Sequence, residues 1–161
     1  MGIEKRTTTI DGHTYTLTLF GAKEGQRVLL RLAKILGPAA AEIVTRGDEG
    51  AAAAIQMALG TAADADLEFL TDSFCARCDL VYTMTTGAGP RPTPTPLKTQ
   101  YDEHFAQRYM ALGEWLFWCI QENFADFFGD KGIGGFVKKR QAELASQSTS
   151  PPTQTGSSGG S

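Results

Sequence analysis

Cys75 and Cys78 enclose Ala76 and Arg77, the C-x-x-C spacing that serves disulfide exchange or half of a tetrahedral zinc site. Redox chemistry needs a strand before the pair and a helix opening at its first thiol. Zinc needs two further ligands, and only His13, His104 and the distant Cys119 are on offer. The pair instead follows Leu67, Leu70 and Phe74 at helical spacing, which predicts thiols buried near the end of a helix that continues through Cys78. Three cysteines are an odd number, which leaves one thiol free and fits a reducing compartment. Asp64, Asp66 and Glu68 suggest a metal site or an acid–base pair, but they follow Thr61 as the acids of an N-cap follow its hydroxyl. They also suit the positive end of a helix dipole. His104, with Asp102 close by in sequence, resembles a base oriented by a carboxylate, yet such near neighbours on a helix do not face each other. No glycine-rich phosphate loop, H-E-x-x-H, G-x-S-x-G or EF-hand pattern occurs. The expectation is no catalytic residue, no cofactor, no metal and no enzyme.

The elements that would hold these residues belong to a chain of ordinary globular make-up. It has 161 residues, 42% hydrophobic and 20% charged, which predicts a single domain over residues 1–145 around one core. A net charge of −3 offers no general attraction to nucleic acid or an anionic membrane. No apolar run reaches the roughly 18 residues that span a bilayer, and residues 1–11 are polar, so a cytosolic site of action is expected.

Residues 7–10 and 13–20 are β-prone runs around Asp11-Gly12, the signature of a hairpin whose type I′ turn needs positive φ at both central residues. Tyr15, Leu17 and Leu19 alternate with Thr14, Thr16 and Thr18, so one face is apolar and the other wet. Over residues 22–37, Val28, Leu29, Leu32, Ile35 and Leu36 gather on one side of a helix and Lys23, Arg27, Arg31 and Lys34 on the solvated side. Residues 38–44 and 51–59 predict short alanine-rich helices. Residues 81–85 can add a third strand beside the hairpin. Four prolines within 87–96 predict an exposed extended linker, taken as residues 86–97, since proline lacks a ladder donor. Residues 146–161, rich in Ser, Thr, Pro, Gly and Gln, have almost nothing to bury and read as a disordered tail.

One long helix is expected from about Lys98 to Gly129. At 100° per residue, Phe105, Tyr109, Leu112, Leu116, Cys119, Ile120 and Phe127 form a core stripe. Met110, Phe117, Phe124 and Phe128 form a second stripe, and Trp115 and Trp118 fall on the far side. A helix apolar nearly all round is central in a core or covered by a partner. The other helices are too short or too charged to cover it, which makes Met110, Phe117, Phe124 and Phe128 the candidate partner-binding or self-association surface. The fold class is α+β: an N-terminal hairpin, at most three-stranded as a sheet, packed on a helical bundle with one long C-terminal helix.

Three segments together resemble the bacteriophage tail assembly chaperones, over roughly residues 7–129. They are Thr9-Ile-Asp-Gly-His-Thr-Tyr-Thr-Leu-Thr-Leu-Phe20 with the helix that follows it, Tyr101-Asp-Glu-His-Phe105 with Arg108-Tyr109, and Trp115 to Phe117 with Asn123-Phe124 and Phe127-Phe128. One departure is Gln107, where the family has glycine before the arginine. The resemblance implies a protein that binds the tape measure protein in the cytoplasm of the infected bacterium and keeps it soluble. It further implies help in recruiting tail-tube subunits, and absence from the mature virion. Self-association into a homo-oligomer is compatible with the exposed stripe. The alternative is a structural tail protein retained in the virion, a class that favours long strands for ring assembly.

Overall fold

The structure is a computed structural model that describes residues 3–37, 53–54, 56–128, 139 and 142–146; for Thr86 and Phe128 only the backbone is described. The helix expected at 38–44, the start of the one at 51–59, and residues 147–161 of the expected tail lie outside these.

The hairpin forms as its sequence dictates. Strands β1 (Lys5–Ile10) and β2 (His13–Thr18) pair antiparallel with Ile10 opposite His13. Asp11 at φ 47 and Gly12 at φ 76 make the two-residue turn left-handed at both centres, as a type I′ turn requires. Helix α1 (Ala22–Leu36) buries Val28, Leu32, Ile35 and Leu36. Helix α2 (Asp64–Cys75) follows, then β3 (Cys78–Thr86) and β4 (Gly89–Pro96). A 3₁₀ turn (Leu97–Thr99) leads into the short α3 (Tyr101–Phe105), and α4 (Tyr109–Phe128) is the last long element described. The sheet order is β1-β2-β3-β4, all antiparallel. Ile10, Tyr15, Leu17, Cys78 and Leu80 point from one face of the sheet into a core completed by Leu32, Leu70, Phe74, Trp115 and Ile120. Large side chains buried this way contribute about 1.5–3 kcal/mol each before entropy is subtracted.

Four expectations are corrected. The sheet has four strands rather than three, because the proline-rich segment is itself a strand. Along a strand the backbone groups of successive residues point to opposite edges. Prolines at 90, 92, 94 and 96 therefore all turn toward solvent, while Gly89, Arg91, Thr93 and Thr95 carry the ladder to β3. Proline is tolerated in an edge strand on those terms.

The long helix expected from Lys98 is broken. Ala106 is extended (φ −53, ψ 124) and Gln107 is left-handed at φ 61, so α3 and α4 are separate helices with unrelated phases. The left-handed conformation at 107 is the one glycine adopts without cost.

Helix α2 ends at Cys75 rather than running through Cys78: Ala76 and Arg77 turn the chain, and Cys78 opens β3. Its N-terminus lacks the expected side-chain cap. Ala63 occupies the cap position, and the Thr61 hydroxyl instead donates to the carbonyls of Met57 and Ala58 at 3.3 and 3.2 Å. No described helix is long and apolar enough to cross a membrane.

Candidate partner-binding surface

The described side chains of the second stripe, Met110, Phe117 and Phe124, do not share one exposed surface. Met110 stands 79% exposed in the first turn of α4, beside Tyr109 at 75%. Phe117 is half-buried against the core, and the side chain of Phe128 lies outside what is described. Phe124 is inside, only 7% exposed, with its ring centroid 6.4 Å from that of Phe20. Its backbone departs from helical values (φ −127, ψ 24), and this kink takes Phe124 off the ideal helical wheel.

Helical phase also fails for Trp115, expected on the far side and found fully buried, and for Tyr109, expected in the core and found exposed. Trp115 lies about 40° from Cys119 on the wheel of α4 and so belongs to its buried arc, while Tyr109 stands at the first residue of the helix. Trp115 packs on Phe105 and Tyr101 at centroid distances of 5.5 and 6.0 Å and donates its indole N–H to Cys78 Sγ at 3.4 Å. Leu116, Cys119 and Ile120 are buried as expected, while Leu112 and Phe127 are half-buried.

The break itself is held by a polar network that the linear sequence conceals. Arg108 donates from Nη2 and Nε to the Asp11 carboxylate at 2.7 and 3.0 Å, and from Nη1 to the His104 carbonyl at 3.2 Å. The His104 Nε2 lies 2.6 Å from the Tyr15 hydroxyl and 3.4 Å from Arg108 Nη1. A guanidinium can only donate, so Nε2 is the acceptor nitrogen of a neutral imidazole and the Tyr15 hydroxyl donates to it. Burial, with the Arg108 and His13 charges, pushes the His104 pKa down to about 4, while burial pushes Tyr15 up to about 12. Arg108 holds the Asp11 carboxyl below the usual carboxylate range. His13 completes the group, its ring edge-on to His104 at 4.9 Å. The hairpin turn, β2, α3 and the start of α4 are thereby tied together. His104 faces Tyr15 and Arg108 rather than Asp102, and the only signal of this in the sequence was its place in the resemblance.

The remaining candidates resolve structurally. Cys75, Cys78 and Cys119 are all buried free thiols. Burial pushes Cys75 up to about 12, Cys78 up to about 11 and Cys119 well above its ordinary value, so none carries nucleophilic thiolate near neutral pH. Among the described residues no three His, Cys, Asp or Glu side chains are placed to hold a metal ion. Asp66 turns inward to 4% exposure and accepts from Lys34 Nζ at 2.8 Å and from Arg31, so half of the supposedly solvated basic stripe of α1 clamps α2. These donors lower the Asp66 pKa. Asn123 closes the other end: its side-chain carbonyl accepts from the Phe20 N–H and its amide donates to the Cys119 carbonyl, both at 2.9 Å.

Among the residues on which the resemblance rests are several that join elements: Asp11, His13 and Tyr15, His104 and Arg108, Trp115, Asn123 and Phe124. A family model described as phage tail assembly chaperone protein, TAC, matches residues 11–136 and spans all of them. No curated protein and no solved structure matches the chain. With most of its length covered by that one model, including every cross-element tie just described, the chain belongs to the phage tail assembly chaperone protein family.

Proposed function

We propose that this protein acts by binding the tape measure protein during tail assembly in the host bacterial cytoplasm. It keeps that long helical polypeptide soluble, helps tail-tube subunits assemble around it, and is absent from the finished virion. It does so as a binding protein without catalytic chemistry. Family membership over residues 11–136 is the observation that carries this reading.

The surface chemistry supports it. Tyr109 and Met110 stand next to each other at the start of α4, both about three-quarters exposed, and Leu30 and Met57 are also largely exposed. Exposed apolar side chains in adjacent positions mark contact sites for other apolar surfaces. A reversible helix-in-groove contact needs apolar anchors of this kind, with Met as an adaptable one. Phe117, half-buried seven residues beyond Met110, extends the anchor along α4. Mass spectrometry of purified virions tests the non-structural role. The reading requires this chain to be absent or at trace level, whereas abundant peptides from it assign the protein to the tail structure itself.

A further inference from the structure

The two edges of the sheet differ in chemistry. On β4 the outward backbone positions are Pro90, Pro92, Pro94 and Pro96, which present carbonyls but no N–H. An added strand would find no donors there, so that edge is closed to pairing. On β1 the closing pair Ile10–His13 and the bond from the Leu19 N–H to the Glu4 carbonyl fix the even-numbered residues as those that face β2. Lys5, Thr7 and Thr9 therefore turn both N–H and C=O outward, from a strand of unbroken register with no proline and no bulge, and all three residues are exposed.

We propose that β1 is a self-pairing edge: two copies of this chain join antiparallel through β1 into one continuous sheet. A two-fold axis at Thr7 sets Thr7 opposite Thr7 of the second copy and Lys5 opposite Thr9. All the outward donors and acceptors of those residues are then used. No like charges oppose each other in this register, because Lys5 and Arg6 fall across from Thr9 and Thr8. Arg6 is in addition paired with Glu4 at 2.9 Å and with Glu122 at 3.3 Å. The threonine hydroxyl pairs already present on the open face, Thr7 with Thr16 and Thr9 with Thr14, would continue across the joint. Because the opposite edge is closed by proline, growth stops at two copies instead of running into a filament. The contact is a strand edge with little apolar area, which places it among reversible interfaces. This inference does not rest on the tape measure reading.

Sedimentation equilibrium of the full chain over a range of concentrations tests it. The weight-average mass should rise from 17.3 kDa toward twice that value and level off there. Thr7→Lys and Thr7→Glu each set like charges face to face on the axis, and each should stay at single-chain mass with unchanged circular dichroism. An equimolar mixture of the two should recover the doubled mass. Thr7→Pro, which deletes an outward donor without touching the ladder to β2, gives a second and independent route to the single-chain state. A wild-type chain that never exceeds 17.3 kDa, variants that associate as the wild type does, or assembly past two copies would each overturn the proposal.

Discussion

Replacing Phe124 by alanine separates a core position from a surface one on the helix where they are hardest to tell apart. Phe124 is 7% exposed and lies under Phe20, near Asn123, which ties α4 to the β2–α1 connection. Removing a buried phenylalanine ring costs about 3–5 kcal/mol through lost transfer energy and the cavity left behind. Phe124 sits at a kink near the end of α4, where the helix can partly collapse, so the lower end of that range, about 3 kcal/mol, is expected. For a chain of this size each kcal/mol shifts Tm by about 2–4 °C, which gives a fall of about 6–12 °C. Met110→Ala, at a side chain 79% exposed, should stay within about 0.5 kcal/mol of wild type. Thermal and urea unfolding followed by circular dichroism measure both. Equal melting temperatures for Phe124→Ala and wild type would refute the core assignment and return Phe124 to the binding surface beside Met110.

Lowering the pH should weaken the hairpin clamp. His104 titrates near 4 in the fold against an ordinary 6.5, so its contribution is full above about pH 6.5 and is lost as pH falls toward 4. An NMR titration of His104 centred near 6.5 would contradict this. Gln107→Gly should leave stability within about 1 kcal/mol of wild type, because relief at φ 61 offsets the extra freedom of the unfolded chain. Gln107→Val should cost about 1–2 kcal/mol, the penalty of a branched residue in the left-handed region, and equal melts for the two variants would refute it. One residue inserted between Thr93 and Pro94 should unfold β4 by flipping its register, whereas an insertion between Gly87 and Ala88 in the turn should be tolerated. Equal tolerance at both places would mean that the proline-rich segment is not a strand.

Local chemistry was legible in the sequence wherever a short-range rule applied. Asp11-Gly12 specified its turn, the threonine alternation of β2 its two faces, and α1 its buried stripe. Periodicity failed in the last third because it assumes one uninterrupted helix and because angle alone does not say which neighbours cover a face, as Trp115 and Tyr109 show within α4 itself. A left-handed Gln107 and a kink at Phe124 each shift the phase, and nothing in those side chains announces either break; only the contrast with the family's glycine hinted at the first. The proline-rich strand was missed because proline is ordinarily evidence against a strand, and its spacing of two at a sheet edge is the exception. The polar network joins residues as far apart as Asp11 and Arg108, a proximity that only the paired sheet and the helix break create. Of the three partner-binding candidates whose side chains are described, only Met110 is largely exposed, because burial on a kinked helix depends on which neighbours fold over it.

Co-expression of this chain with the phage's tape measure protein tests the central claim most directly. The account predicts that the tape measure protein becomes soluble only when this chain is present, that the two co-elute, and that Met110→Asp weakens the complex without lowering the melting temperature of the chain alone. A tape measure protein that is equally soluble with and without this chain, and never co-elutes with it, would contradict the account.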